Sequence, residues 1–239
     1  MFRIFFIKKI LDLFDYFQQK KIFNFLKKKL REKVILIDVG AHHGETIKNF
    51  INNFRALEIH SFEASPENFK ILNKKFQDQK IPKVIVNNYG LSNENKELSL
   101  YQFSESSSST LSEINKESKY FQRKLKILGL NKKDNFYKKL HVKLGLLDDY
   151  LNNKKIEKID LLKIDTEGHE YYVLKGSVIS LKKIRFIYFE HHYDNMLNKG
   201  YTFSEINNLL VSNNFRKVFK SKMYFRKTFE YIYENYMFE

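Results

Sequence analysis

The chain has no cysteine and no tryptophan, and only two prolines and eight glycines among its 239 residues. Without cysteine there are neither disulfides nor thiolate metal sites, a pattern that fits a reducing compartment. No apolar run approaches the roughly 20 residues that cross a bilayer, so no transmembrane helix is expected. Acids are scarce beside bases: 28 Asp and Glu stand against 43 Lys and Arg, a formal charge of +15 with a pI near 9.6. Such a surface attracts phosphates, anionic lipid heads or acidic glycans. Lysine and asparagine are nonetheless spread along the whole chain, and part of the charge reads as compositional bias.

What is present points to a folded protein. Hydrophobic residues make up 43% and aromatic residues 16%, enough for one large domain with an appendage. Residues 1–33 form that appendage. Phe6, Ile10, Leu13 and Phe17 recur at helical spacing, surrounded by Lys8, Lys9, Lys20, Lys21, Lys27, Lys28 and Lys29, which predicts an amphipathic basic helix. Its apolar face packs on the domain or on a second subunit in a homodimer, or it attaches to a membrane surface. The segment lacks the small-residue cleavage site of a signal peptide. The expected location is therefore cytoplasmic, with the inner membrane surface as the alternative placement.

The remaining chain, 34–239, is organised around one stretch. The β-branched run Val34-Ile35-Leu36-Ile37-Asp38-Val39 breaks at Gly40 and Gly44 and passes into a helical pattern from Thr46 to Ile51. Strand, glycine turn and helix N-terminus bring backbone N–H groups and a positive dipole end to a ligand. A second apolar run, Leu57 to Phe62, ends in Glu63, about 20 residues further on, where nucleotide-binding α/β folds keep a ribose-binding acid. The pair suggests an adenosine-containing cofactor.

Further along, Ser65 and Pro66 open a helix as N-cap and first residue, and Lys83 to Asn88 form a third strand. Alternating strands and helices require a parallel, doubly wound sheet with helices on both faces. Leu98 to Phe103 alternates as a strand, and the serine-rich run 104–110 is a loop. Residues 115–139 are a lysine-rich insertion, read either as a surface excursion or as a lid over an opening of the domain. Leu140 to Leu144 reads as another edge strand. A helix begins at Leu147-Asp148-Asp149-Tyr150, with Asp148 as its cap, and a fourth core strand runs from Ile159 to Asp165. Strand Phe186 to Phe189 ends in Glu190-His191-His192. A helix over Phe203 to Val211 and two strands, Phe215 to Phe219 and Phe229 to Tyr233, close the chain, the strands near enough to pair antiparallel.

Several blocks together resemble the FkbM family of S-adenosylmethionine-dependent methyltransferases. These are Ile37-Asp38-Val39-Gly40-Ala41-His42-His43-Gly44, Ser61-Phe62-Glu63-Ala64-Ser65-Pro66-Glu67-Asn68-Phe69, Leu147-Asp148-Asp149-Tyr150, and Asp160-Leu161-Leu162-Lys163-Ile164-Asp165-Thr166-Glu167-Gly168-His169-Glu170 followed by Val173-Leu174-Lys175-Gly176. They span about residues 34–192. His42 stands where the family commonly has Asn, and Thr166 where it commonly has Val.

The resemblance implies a Rossmann-like class I methyltransferase fold, with a seven-stranded, mostly parallel sheet, an antiparallel C-terminal strand and helices on both faces. It implies S-adenosylmethionine as cofactor and S-adenosylhomocysteine as product. Glu63 is then expected on the ribose hydroxyls, and the backbone of Gly40, Ala41, His42 and Gly44 on the methionyl end. Asp38 orients the loop or the amino group, or caps the helix, and Asn88 lies by the adenine. Asp165, Glu167, His169 and Glu190 are the candidates for catalysis, since a hydroxyl acceptor must lose a proton during an in-line displacement.

A divalent metal held by Asp165, Glu190 and one histidine is an alternative; adjacent His191 and His192 point to opposite faces, so only one could join. The expected acceptor is a small molecule, first of all a nucleotide-linked or phosphorylated sugar precursor of a surface polysaccharide. Two other classes compete. A dinucleotide oxidoreductase lacks support because the third glycine of its fingerprint is missing. A basic nucleic-acid-binding module or nucleic-acid methyltransferase has the net charge but no recognition motif, so no nucleic-acid partner is expected.

Overall fold

The computed structural model describes residues 2–30, 33–78, 80, 82–103, 109–128 and 137–238; the side chains of residues 2–13 and of a few others are not among them. Helix α1 (Phe2–Lys29) precedes β1 (Val34–Val39), α2 (Glu45–Asn53), β2 (Ala56–Phe62), α3 (Pro66–Phe76) and β3 (Lys83–Asn87). Then come β4 (Gly90–Leu91), β5 (Lys96–Phe103), β6 (Glu113–Ile114), α4 (Lys119–Leu128), β7 (Tyr137–Gly145), α5 (Leu147–Lys154) and β8 (Ile159–Ile164). The chain continues through α6 (Glu170–Lys175), β9 (Ile184–His192), β10 (Leu197–Asn198), α7 (Phe203–Ser212), β11 (Phe215–Lys222) and β12 (Thr228–Asn235).

Seven strands form one sheet in the order β11-β12-β9-β8-β1-β2-β3. The five from β9 to β3 run parallel, while β12 is antiparallel to both β9 and β11. The antiparallel strand thus lies one place in from the edge, inserted by the hairpin of the last two strands. Central strands β1 and β8 are apolar on both faces because helices cover both, as parallel sheets require. On one face Ile37, Leu162 and Ile187 pack against α5, α6 and α7 through Leu147, Leu151, Val173, Leu174, Ile206 and Leu210. On the other, Leu36, Leu161 and Phe186 meet Ile47 and Phe50 of α2 and Leu72 and Phe76 of α3.

Helix α1 contributes to this second core. Ile22, Leu26 and Leu30 are buried in it, one turn apart, each burial contributing about 1.5–3 kcal/mol. The expected apolar stripe runs through Phe17, which the structure instead leaves 47% exposed beside buried Gln18. Phe6, Ile10 and Leu13 have side chains outside the described residues. Apolar residues occur around much of this helix, and packing on the sheet selects one stripe among several. Among the described residues no helix is long and apolar enough to cross a membrane.

The segment Leu140 to Leu144 is not an edge of the main sheet. It lies in β7, which pairs antiparallel with β5 and parallel with β4 in a separate three-stranded sheet around Leu100, Val142 and Leu144. Residues 104–108 of the serine run and 129–136 of the insertion lie outside the described residues. The described part of the insertion includes α4, which buries Phe121 and Leu125 against Met196 and Leu197, just after β9.

Candidate active site

The site is built where β1, β2, β8 and β9 end at one edge. β1 and β2 leave the sheet in register, Val39 beside Phe62, and the amides of Gly40 and Ala41 both donate to the Phe62 carbonyl, at 3.0 and 3.1 Å. Gly40 has φ +81°, and a Cβ there would lie 1.9 Å from the Asp165 carbonyl oxygen. Only glycine lets the β1 loop pass this close to the end of β8. Gly44, at φ +82°, fits closely over Phe76 and Leu72 of α3.

This loop is tied to the acid after β2. The His42 amide donates to Glu63 Oε2 at 2.7 Å, and the Ser65 amide to Oε1 at 2.8 Å. Burial pushes the Glu63 carboxyl above its usual pKa, against the pull of the Ser65 and His42 amides. Each carboxylate oxygen accepts one backbone hydrogen, and the Asn68 side chain also hydrogen-bonds the carboxylate, which keeps acceptor capacity beyond these three. Asn88 donates to the Glu63 carbonyl at 3.0 Å, so it braces the turn that carries the acid. Ser65 caps α3 as its type and position predict, its Oγ accepting from the Asn68 amide.

Beneath the loop, Asp38 is fully buried beside its register partner Lys163. Lys163 Nζ lies 3.4 Å from Asp38 Oδ1 and 3.2 Å from Asp165 Oδ2. Burial would lower the lysine's pKa, but the Asp165 and Asp38 carboxylates outweigh it and raise it. Burial raises the Asp38 carboxyl; Lys163 opposes this and Asp165 reinforces it. Asp38 Oδ2 is buried and accepts no hydrogen bond, which makes it an acceptor suited to water or a ligand group.

Beside this trio lies an acid-imidazole cluster. His192 Nε2 stands 3.2 Å from Glu167 Oε2 and 3.4 Å from Glu190 Oε1, while Nδ1 is 3.1 Å from Thr228 Oγ1. Asp194 Oδ2, at 3.8 Å from Nδ1, is beyond hydrogen-bond reach and acts as a charge. Burial would lower the imidazole's pKa, but Glu167, Asp194 and Glu190 hold it well above the ordinary value. Glu190 is itself raised well above the carboxylate range, by burial first and by Asp165, Glu167 and Glu230 against the pull of His192. Glu167 takes φ 49°, and its carbonyl accepts from Thr110 Oγ1 at 2.6 Å, so the turn after β8 is fixed by the segment that follows the serine run.

The structure therefore brings Asp165, Glu167 and Glu190 together and sets His169 apart. His169 is 5% exposed, its Nε2 lies 3.0 Å from Ser92 Oγ, and burial, with Lys96 nearby, pushes its pKa down to about 4. The catalytic expectation groups it with the acids it follows in sequence, but the short turn before α6 rotates it away from them. The ring instead packs α6 on the loop after β4. His191 points to the opposite sheet face from His192, among Tyr193, Tyr201 and Phe203. Among the described residues, the side chains whose ligand atoms converge are His42, His43 and Glu45, not Asp165, Glu190 and a histidine.

Several partners escape the sequence pattern. Lys163 is legible in principle, since it shares a strand face with Asp165 two residues on. Glu230 pairs across β12 and β9 with Glu190 in register, accepting from Tyr188 and from Gln18 of α1. Arg226, in the hairpin tip, binds Asp15 of α1 at 2.7 Å and feels the charges of Glu190 and Glu167. Helix α1 thus walls one side of the site, and no local pattern announces a partnership between the chain's two ends.

Residues 38–217 match the methyltransferase FkbM domain. None of the curated proteins matches the chain. Among solved structures, an FkbM methyltransferase from Methylobacillus flagellatus is similar at 13% identity and a TM-score of 0.54, over 87% of this chain. The chain spans only 45% of that protein. TrmK of M. capricolum, solved with S-adenosylhomocysteine, is similar at 11% identity and a TM-score of 0.52, over 90% of this chain and 68% of its own. An rRNA methylase from Streptococcus thermophilus is similar at 10% identity and a TM-score of 0.50, over 90% of this chain and 94% of its own. At these identities the likeness is one of fold: the seven-stranded Rossmann-like methyltransferase sheet.

Proposed function

The chain belongs to the FkbM methyltransferase family, and from that premise we propose that it transfers a methyl group from S-adenosylmethionine to a hydroxyl of a sugar. The acceptor class proposed is a nucleotide-linked or phosphorylated precursor of a surface polysaccharide. The observation that carries the cofactor reading is Glu63, locked by the His42 and Ser65 amides at the edge where the glycine loop leaves β1. The Asn68 side chain is a third partner of this carboxylate, which keeps acceptor capacity for a ribose hydroxyl. The donor set of the site fits the cofactor.

Bound S-adenosylmethionine supplies an electrophilic methyl group. Glu63 accepts from the ribose hydroxyls, and the loop 40–44 receives the methionyl end. Asp38 acts from below: paired with Lys163, it fixes the β1 and β8 ends from which loop and acids project. Asn88 holds the backbone of the ribose segment on the adenine side. Glu190 takes the proton of the acceptor hydroxyl, its basicity raised by burial and by neighbouring acids. Protonated His192 orients that carboxylate and balances its charge, with Glu167 on the imidazole's other flank. Asp165, its side chain 40% exposed, aligns the acceptor.

Exposed Lys116, Lys119, Lys138 and Lys139 on the insertion and β7 favour a phosphorylated acceptor, drawn in electrostatically and bound more weakly as salt rises. The test is transfer of labelled methyl groups to nucleotide sugars, neutral sugars and RNA at low and high salt. Salt-sensitive labelling of a nucleotide sugar is expected. Equal labelling of a neutral sugar at both salts would remove the phosphate from the proposal, and labelling of RNA alone would replace the acceptor class.

We further propose that α1 rests on an anionic bilayer. Phe14 packs its ring against Tyr224 and Phe225 of the hairpin tip, at 4.9 and 5.2 Å between centroids. Phe225 is 73% exposed, and exposed Phe17, Lys20 and Lys21 continue the surface. Aromatic rings among lysines suit a membrane interface. Co-sedimentation with phosphatidylglycerol vesicles, reduced in Phe225→Ser, is expected; no vesicle binding by the parent protein would sink this placement.

A further inference from the structure

The loop between β1 and α2 carries three side chains that the functional reading leaves without a role. His42 and His43 are consecutive, their rings stacked with centroids 3.8 Å apart, and Glu45 opens α2. His42 Nδ1 lies 3.3 Å from Glu45 Oε2, and one ligand atom from each of the three residues lies within 4.8 Å of the others. His43 Nε2 is buried with no hydrogen-bond partner. A buried imidazole nitrogen without a partner points to something that would engage it.

We propose that His42, His43 and Glu45 form a binding site for a first-row divalent transition ion such as Zn²⁺, Ni²⁺ or Co²⁺. Two imidazoles and one carboxylate make a donor set that selects these ions over Mg²⁺ and Ca²⁺, which require oxygen ligands. The 3.3 Å between His42 Nδ1 and Glu45 Oε2 matches the edge of a tetrahedron with metal–ligand bonds of about 2.0–2.1 Å. The site has three protein ligands and leaves a fourth position for water or a ligand, the arrangement of open zinc sites. Lone pairs lie in the ring planes, so the two imidazoles swing out of their 21° stack to point at one centre. Glu45, with its side chain 61% exposed, has room to follow.

The site has its origin in a local constraint. Gly40 and Gly44 force a tight turn, His42 takes φ 47° within it, and the turn places donors separated by one and two residues on the same side. The ion sits on the loop whose His42 amide holds Glu63, so its occupancy and the setting of that acid are linked through one residue.

The test uses the full-length protein without a histidine tag. Zinc binding is followed by titration calorimetry, and cobalt binding by the visible absorption of a low-coordinate Co²⁺ centre. One equivalent of Zn²⁺ is expected to bind, with Mg²⁺ giving no comparable signal. His42→Asn, which tolerates the positive φ, and His43→Ala each weaken zinc binding at least about tenfold, since loss of outer-shell partners alone costs 10–100-fold. Glu45→Gln weakens it by less. Circular dichroism and melting curves show that the variants are folded. Absence of stoichiometric zinc binding by the parent protein would overturn the proposal, as would undiminished binding by both histidine variants, which would place the ion on other histidines.

Discussion

Glu167 Oε2 and His192 Nε2 stand 3.2 Å apart, joining the turn after β8 to the last residue of β9. The contact makes stability depend on pH with a definite sign. Burial opposes charge on His192, but Glu167, Asp194 and Glu190 raise its pKa well above the unfolded value of 6.5. The native state therefore binds this proton more tightly, and the stabilisation is fully present below pH 6.5 and lost as pH rises through the raised value. Glu190, raised above 4.5 mainly by burial, acts in the same direction. Melting temperature is expected to fall as pH climbs beyond 6.5, at up to about 1.4 kcal/mol of stability per pH unit for the imidazole. His192→Gln should give a lower but flatter curve. Parallel curves for parent and variant would show that His192 does not carry the effect.

Glu63 has two duties that separate by measurement. It holds the glycine loop through two backbone amides, and on the proposed reading it binds the cofactor's ribose. Glu63→Gln retains one acceptor oxygen and the volume, so melting temperature should fall modestly. S-adenosylhomocysteine affinity should fall by about 10–100-fold, the loss of charge-assisted hydrogen bonds worth roughly 1.5–3 kcal/mol. Calorimetry with both proteins checks this, and parental affinity in the variant would refute the ribose assignment.

Lys163 lies between two carboxylates, one of them fully buried. Lys163→Met leaves Asp38 charged and uncompensated, and a loss of about 3–5 kcal/mol is expected from breaking a buried pair at one side. Asp38→Asn in the same chain removes the orphaned charge and should restore part of that loss. Denaturant unfolding of both single variants and the double variant measures the coupling. Additive losses would mean that the two side chains do not interact in solution.

The parts of the fold legible in sequence are those fixed by local chemistry. The short apolar runs at 34–39 and 159–164, the glycines at 40 and 44 and the Ser65-Pro66 cap each specify their own conformation. Glu63 can be placed because a strand end followed by a helix cap leaves it one position. What depends on distant partners is not legible. Residues Leu140 to Leu144 alternate as an edge strand does, yet alternation reveals the apolar face and not the sheet joined. Periodicity misplaces the buried stripe of α1 because packing chooses between Phe17 and the row of Gln18, Ile22 and Leu26. The histidines show the same limit: period two separates His191 from His192, but only the register of β12 and the β8 turn shows which one meets the acids.

The acids themselves provide the last prediction. Glu190 is the proposed proton acceptor, because it is half-buried, raised in pKa and held by His192. Glu190→Gln keeps the shape and removes the base, so turnover should fall about 10²–10⁴-fold. Glu167 touches His192 and acts through it. Glu167→Gln should lower turnover less and shift its pH profile downward, because the imidazolium loses a compensating charge and titrates at lower pH. Asp165→Asn should raise the acceptor's KM more than it lowers kcat, as expected of an aligning group exposed to the acceptor. His169→Gln, confined to the Ser92 contact, should change melting temperature and leave turnover within about twofold, the readout of a packing residue. Cofactor affinity, measured by calorimetry, should stay parental in all four. Near-parental turnover in Glu190→Gln with a lowered melting temperature would make the cluster a structural tie between β8 and β9. A large loss in His169→Gln would return the base to the turn before α6.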